Sequence, residues 1–390
     1  MKKYIQIVMV TCGMAAFCLG LCMNIAGLFF TPVSEALNVG RGDISLSSTL
    51  ITFSIAITGL FVPKIINENN LKKIIIISST ISVVTPVLLG LCNSLTVYYL
   101  LSVIRGISAG LLSLVLITTL LNNWFIEKNG LVTGITMSFS GLTGALCSPL
   151  INTVINTYGY RYAYFVVSIF TLIFLLPSIM FKFSLKPETM GYKPYGTRDT
   201  DTAENDNLKE YRIKTLIIMC IIAFMTSGLS GCPQHFTGLS VEILNSTSTG
   251  SMMLSIALIG NIVSKLIIGL LIDKFNGRIA YLIAMAINLS GCLLILFTDK
   301  VILLYIGSFL FGFIYAAGTI CLSQLTKEKC GMNNYSKVYP SVSFLATAGT
   351  AVFVSAMGYM YDYLSTYVIS YCLAGSISFI LIIYMLLGRN

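Results

Sequence analysis

Charged side chains are scarce in this chain. Only 10% of its residues are Asp, Glu, Lys or Arg, and 56% are hydrophobic, whereas a soluble globular domain has roughly 25% charged residues. The low charge excludes a single water-soluble fold. The high hydrophobicity excludes a disordered chain, since disorder needs few apolar residues and a high net charge. A mean hydropathy of +0.87 instead indicates a protein of the lipid bilayer.

Residues that usually perform catalysis or bind metals are also rare. The chain has one His and one Trp, and none of its 11 cysteines forms a CxxC pair. Most of the cysteines lie inside apolar runs, where they behave as small hydrophobic residues. A secreted disulfide scaffold is therefore excluded. We predict no metal and no cofactor, and we do not expect an enzyme, because no nucleophile–base pair is recognisable.

Long apolar runs are the dominant feature of the sequence. A bilayer core of ~30 Å needs about 20 apolar residues per helix. The runs predict an all-α membrane protein with twelve transmembrane helices, at residues 4–30, 43–63, 72–92, 96–121, 131–155, 160–183, 213–236, 249–272, 279–298, 300–325, 337–361 and 364–388. The first run resembles a signal peptide but is too long and lacks a cleavage site, so we expect a retained helix.

The distribution of basic residues predicts the orientation in the membrane. Of the 24 Lys and Arg residues, only Arg41, Arg161 and Lys300 fall on the predicted outer side. Arg105 and Lys265 fall within helices, and the other 19 fall on the inner side. By the positive-inside bias, both termini are cytoplasmic. We therefore expect a multi-pass plasma-membrane protein whose formal charge of +9 reflects topology rather than nucleic-acid binding.

A polar stretch at residues 184–212 divides the chain. It contains Pro187 and Pro194 and then the run DTDTAENDNLKE, without apolar periodicity. These features are typical of a flexible linker, here on the cytoplasmic side. We predict an N-terminal six-helix bundle at 1–183 and a C-terminal six-helix bundle at 213–390.

The two halves share a short pattern that indicates an internal repeat. Gly59-Leu-Phe-Val-Pro63-Lys64 ends the second run, and Gly269-Leu-Leu-Ile-Asp273-Lys274 ends the eighth. The offset of 210 residues superimposes one half on the other. Parallel six-helix repeats are a transporter architecture, with the substrate site near the midplane between them.

The second-half pattern continues as Gly269-x-x-x-Asp273-Lys274-x-x-Gly277-Arg278. It resembles the loop signature of the major facilitator superfamily. The resemblance implies a gate formed by these five residues, in which glycine permits close packing and Asp and Arg form breakable polar contacts. The alternative is an ordinary positively charged inner loop. In the first half, Pro63 replaces the Asp and no Gly-Arg follows.

Further motifs resemble the oxalate:formate exchanger and monocarboxylate transporter branch of that superfamily. They are Phe29-Phe30-Thr31-Pro32, Arg41-Gly42-Asp43, Trp124-Phe125, Gly130-Leu131, Gly159-Tyr160-Arg161, Asn261-x-x-x-Lys265, Cys330-Gly331 and Asn334-Tyr335. The resemblance implies a carrier of small carboxylates, with Lys265 in place of an Arg that meets the substrate carboxylate. No second mid-membrane basic residue occurs in the eleventh run, so a monocarboxylate fits better than a dicarboxylate. Asn261 replaces an Asp linked to proton coupling.

Two cations lie deep in the predicted helices, where charges are costly and usually functional. We assign Lys265 to the substrate, the alternative being that it extends to the inner interface. Arg105 can contact an anion or, equally well, cap carbonyls of a neighbouring helix. Further candidate substrate ligands are uncharged, and we list them as Asn24, Asn261, Tyr315 and His235. A lone His at a helix end is more often an interfacial hydrogen-bonding residue.

The sequence thus predicts a secondary transporter for a small organic anion, most consistent with a monocarboxylate, that works by alternating access. We favour exchange over uniport, with protons as an alternative coupling partner. Two alternatives remain. A drug-efflux antiporter of the same fold would need a membrane-embedded acid, whereas all 15 acids fall in loops or at helix ends. A transport-inactive membrane receptor or scaffold would fit the departure of the first-half loop from the motif.

Overall fold

The computed structural model describes residues 2–196 and 213–387. Within these ranges it leaves out the side chains of Gly130, Asp273, Met332, Asn333, Asn334, Ser336 and Lys337. The charged part of the predicted linker, residues 197–212, lies outside the described residues, as does Arg389.

The described residues form twelve helices that are long and apolar enough to cross a membrane. We number them α1 to α12, at Lys2–Leu37, Arg41–Ile65, Leu71–Leu91, Leu95–Trp124, Leu131–Tyr158, Tyr160–Met180, Ile213–Leu244, Thr247–Ile272, Gly277–Leu296, Val301–Cys330, Val338–Leu364 and Val368–Leu387. The predicted all-α class with twelve membrane-spanning helices is confirmed, and each predicted run corresponds to one helix.

Small polar residues line the helix interfaces, and large apolar residues cover the outside. On α3, Ser78, Ser79 and Ser82 are fully buried, whereas Ile76 and Ile77 are exposed. This is the arrangement of a membrane protein, because lipid solvates the apolar side chains while small residues let helices approach closely. The helices therefore bury small polar residues and expose large apolar residues, which is the reverse of a soluble helical bundle.

Four of the twelve helices contain interruptions in their α-helical geometry. They are α1, α4, α7 and α10, with breaks or non-α turns at Ala16–Phe29, Leu112–Ser113, Ser230–His235 and Gly312–Cys321. The interruptions recur at every third helix, and backbone groups freed at such breaks can bind ligands or neighbouring side chains. Of the four interrupted segments, only the one in α7 contains a proline, Pro233.

The chain divides into two compact units. One contains the described residues of Met1–Asn38 and Leu50–Thr202, and the other those of Val39–Thr49 and Ala203–Asn390. Phe17 and Trp124 are fully buried in the core of the first unit. Phe236, Phe311 and Tyr371 pack together in the core of the second.

The beginning of α2 belongs to the second unit because Asp362 of α11 caps it. The backbone N–H groups of Arg41 and Gly42 donate to the Asp362 carboxylate at 2.9 and 2.7 Å. A carboxylate at a helix N-terminus satisfies otherwise unpaired donors and complements the helix dipole. A Cβ on Gly42 would come within 2.3 Å of the Tyr359 ring, so this close approach requires glycine.

The internal repeat is visible where α1 and α7 end. Their last helical segments are Phe30–Leu37 and Phe236–Leu244, and both begin with Phe-Thr. Each segment stops at an asparagine in the left-handed conformation, Asn38 with φ 53° and Asn245 with φ 52°. Asparagine tolerates this conformation better than most residues. Matching chemistry at matching positions therefore marks the two halves as related.

A second repeated device is a cation that caps the last helix of each half. Lys72 at the start of α3 donates to the carbonyls of Ser178 and Phe181 at the end of α6, at 2.9 and 2.8 Å. Arg278 at the start of α9 donates from Nε to the Met385 carbonyl of α12, at 2.9 Å. A cation there satisfies unpaired carbonyls. Lys72 is thus the first-half counterpart of Arg278. The two residues are fewer than 210 positions apart because the loop before α3 is longer than the loop before α9.

Candidate functional site

The candidate site in the second unit is built where α8 and α10 cross in near backbone contact. A Cβ on Gly260 would lie 2.3 Å from the Phe309 carbonyl oxygen, and one on Gly312 would lie 2.3 Å from that of Ala257. Only glycine permits this separation. The crossing fixes the positions of the polar residues that follow it on each helix.

Asn261 and Lys265 follow the crossing on α8, one turn apart on the same face. Asn261 is buried, and no described residue forms a hydrogen bond to its Oδ1 atom. The lipid-facing side of α8 is marked by Leu266 and Leu270, which are 66% and 71% exposed. Because Asn261 lies on the protein-facing side, Lys265 one turn later shares that orientation.

Lys265 is a half-buried cation in the interior of α8. Among the described residues, none forms a hydrogen bond or an ion pair with its ammonium group. It lies seven residues before Ile272, about 10 Å along the helix axis from the end of the span. A charge in this position is costly unless something binds it.

Tyr315 is the polar residue that follows the crossing on α10. It is half-buried, and within the described ranges its hydroxyl forms no hydrogen bond. Tyr315 comes three residues after Gly312, and Lys265 comes five after Gly260. Asn261, Lys265 and Tyr315 therefore follow the same crossing on the two helices that form it.

His235 is held by protein atoms. Its Nε2 lies 2.8 Å from the Val354 carbonyl oxygen, and its Nδ1 lies 3.4 Å from the Tyr367 hydroxyl. Since a carbonyl only accepts, Nε2 must carry the proton, and Nδ1 can then accept from Tyr367. In this structure the ring joins α7 to α11 and to the connection between α11 and α12. A substrate contact by His235 stays a prediction.

Arg105 and Asn24 lie in the first unit and both bind near the interrupted part of α1. Arg105 is buried, and its Nη2 donates to the Leu21 carbonyl at 3.1 Å, while its Nε has no partner among the described residues. Asn24 donates from Nδ2 to the Ser140 carbonyl of α5 at 3.2 Å. Of the two roles considered for Arg105, capping of a neighbouring helix is present, and one donor remains available.

The loop between α8 and α9 is anchored within the second unit. The Gly277 N–H donates to Glu328 Oε1 of α10 at 2.8 Å, and Arg278 binds the end of α12. Lys274 is exposed, nothing lies near Gly269 that a side chain would meet, and the Asp273 side chain lies outside the described part. A gating role for these five residues stays a prediction.

Three acids at helix ends have structural roles that the sequence does not indicate. Asp362 caps α2, Glu328 caps α9, and Glu242 accepts from the Tyr367 N–H at 2.7 Å near the start of α12. The sequence places these acids only in loops or at helix ends. Their partners lie far away in the chain, so no local pattern indicates them.

Comparisons with known proteins agree with the twelve-helix fold. The family model of the Major Facilitator Superfamily matches residues 12–242 and 236–390. Monocarboxylate transporter 12-B of Danio rerio is 24% identical over 65% of this chain and 59% of its own. The uncharacterized MFS-type transporter YhjX of Escherichia coli is 23% identical over 80% of this chain and 77% of its own. MFS-type transporter pynF of Aspergillus niger is 25% identical over 43% of this chain, and the matched region covers only 39% of that relative.

A solved structure supports the same architecture. A variant of the nucleoside transporter NupG superimposes with a TM-score of 0.76, covering 98% of both chains at 11% identity. At that identity the likeness concerns the fold alone. The family match spans nearly the whole chain and the twelve helices agree with it. The chain therefore belongs to the Major Facilitator Superfamily of membrane transporters.

Proposed function

We propose that this chain transports a small monocarboxylate across the membrane by alternating access, with Lys265 as the residue that binds the carboxylate. The observation that carries the proposal is the state of Lys265, a half-buried membrane cation for which the described residues provide no anion. An anionic substrate would supply the missing charge and form charge-assisted hydrogen bonds.

Asn261 and Tyr315 complete the proposed site. Tyr315 offers a hydroxyl and Asn261 an amide, both without hydrogen-bonding partners among the described residues. A carboxylate accepts several hydrogen bonds, so the Lys265 ammonium, the Tyr315 hydroxyl and the Asn261 amide nitrogen are suitable donors. The buried Asn261 Oδ1 can accept from a hydroxyl or a protonated group elsewhere on the substrate.

A single carboxylate fits the proposed site better than two. Lys265 is the only Lys or Arg among the described residues of α8. Arg105, in the other unit, already uses one donor on Leu21. Similarity to monocarboxylate transporters of fish and frog, at 24% and 23% identity, supports the same substrate class.

We also propose that both termini face the cytoplasm of a plasma-membrane protein, as the Lys and Arg distribution favours. Protease added to right-side-out vesicles is then expected to leave the chain intact, and protease added to inside-out vesicles is expected to cut within 184–212. Cleavage from the outside would reverse the proposed orientation.

The function is tested by flux in proteoliposomes containing the purified full chain. The panel comprises radiolabelled formate, acetate, lactate and oxalate, together with a nucleoside and a lipophilic cation. We expect uptake of at least one monocarboxylate above that of protein-free liposomes. Transport of the cation alone would favour the drug-efflux alternative, and transport of the nucleoside alone would replace the proposed substrate class.

A further inference from the structure

A cavity with several polar side chains lies in the same unit, beyond the proposed site. It has a volume of about 320 Å³ and is lined by residues of α8, α10 and α11 that include Ile272, Thr319, Ser323, Gln324, Lys327 and Tyr339. We call it the inner pocket, because it lies near the ends of α8 and α10 on the predicted cytoplasmic side. That side is predicted from the distribution of basic residues. None of the proposed substrate ligands lines it.

The inner pocket continues the faces of α8 and α10 that bear the proposed site. On α8, Ile272 follows Lys265 by seven residues, or two turns. On α10, Thr319, Ser323 and Lys327 follow Tyr315 at intervals of four residues, which keeps successive side chains on neighbouring positions of one face. The pocket thus lies between the helix ends and Lys265, where a substrate moving along these helices would pass.

Lys327 gives the inner pocket its charge. Its Nζ lies 5.2 Å from the centre of the Tyr335 ring, and within the described ranges it forms no ion pair. Tyr335 is in turn fixed by stacking on Tyr339 at 4.8 Å and by a hydrogen bond to Ser323. Lys327 is therefore a positioned, half-buried cation in a pocket with hydroxyl groups.

The neighbouring acid does not neutralise this cation. Glu328 Oε1 accepts from the Gly277 N–H at 2.8 Å and from Gln324 Nε2 at 3.1 Å. Its carboxylate is thereby directed at the start of α9. An unneutralised ammonium beside hydroxyl groups is suited to binding a small anion.

We propose that the inner pocket is a second binding site for the carboxylate, which holds the substrate on Lys327 between the aqueous phase and Lys265. This inference rests on the proposed function of Lys265. Because the pocket is partly open, its attraction is modest. It acts on substrate that arrives from the predicted cytoplasmic side only. Lys327 then affects the half-saturating concentration on one face of the membrane.

The test compares Lys327→Gln with Lys329→Gln in inside-out and right-side-out vesicles. Lys329 has the same charge, is exposed and lies two residues away on the same helix. With lactate, or the best monocarboxylate of the panel, we expect Lys327→Gln to raise the half-saturating concentration about fivefold in inside-out vesicles, a magnitude typical of a partly exposed ion pair. Right-side-out vesicles and Lys329→Gln should show no change, and Lys327→Arg should restore the wild-type value.

Equal effects of the two glutamine variants would contradict the proposal that the inner pocket binds the carboxylate. Equal effects of Lys327→Gln on both faces of the membrane would contradict it as well. Thermal melting in detergent identifies a folding defect, in which case Ser323→Ala is used with the same expected asymmetry. Lys265→Ala is measured in the same vesicles. Transport that survives Lys265→Ala contradicts the proposed function itself, whereas transport that requires Lys265 but ignores Lys327 contradicts only the inner pocket.

Discussion

Replacement of Lys265 by Ala is expected to reduce monocarboxylate uptake by at least about 100-fold. The substitution would leave the substrate carboxylate in the membrane without a counter-charge, and an uncompensated buried charge costs about 3–5 kcal/mol. Lys265→Arg preserves the charge but changes the geometry of the hydrogen bonds, so we expect it to retain part of the activity. Initial uptake rates in proteoliposomes measure both variants.

The matched control is Lys73→Ala, which removes an exposed lysine at the start of α3. It should transport like the unmodified chain. Both variants must reconstitute equally and melt within a few degrees of the parent, so that loss of uptake reflects binding rather than unfolding. Normal uptake by Lys265→Ala in correctly folded protein would show that the carboxylate binds elsewhere.

Substrate loaded inside the vesicles is expected to increase uptake strongly, by about tenfold or more. An empty carrier must carry the Lys265 charge through a closed state without an anion, and a central charge costs at least ~2.5–3.5 kcal/mol on insertion scales. Bound carboxylate offsets this cost, so the loaded carrier should reorient faster than the empty one. We therefore expect exchange to exceed net uptake.

The measurement is uptake of labelled substrate at varied internal substrate, with and without a pH gradient of one unit. Exchange predicts a strong dependence on internal substrate and a weak one on the gradient. The opposite pattern would mean that Lys265 releases its proton when the site is empty, so that substrate and proton move together. The Asn261→Asp variant provides a comparison, because it introduces an acid one turn from Lys265 and should increase the dependence on the gradient.

Part of this description follows from the sequence alone. The lengths of the apolar runs determine the twelve helices, because the thickness of the bilayer sets how many residues cross it. The rarity of charge inside those runs singles out Lys265 and Arg105. The four-residue spacing of Asn261 and Lys265 places both on one face of α8. Each of these inferences depends on neighbours within a few turns of one helix.

Contacts between distant segments are decided only by the tertiary structure. Asp362 binds the start of α2 across 320 residues, and Lys72 binds the end of α6 across more than 100. His235 binds the Val354 carbonyl of α11, and Arg105 binds the Leu21 carbonyl of α1. In this structure His235 therefore links two helices, and Arg105 mainly caps a carbonyl of α1. No proline marks the interruptions of α1, α4 and α10 either. A polar group inside the membrane needs a hydrogen-bonding partner, and the packing of the helices decides which residue provides it. The local sequence does not determine that packing.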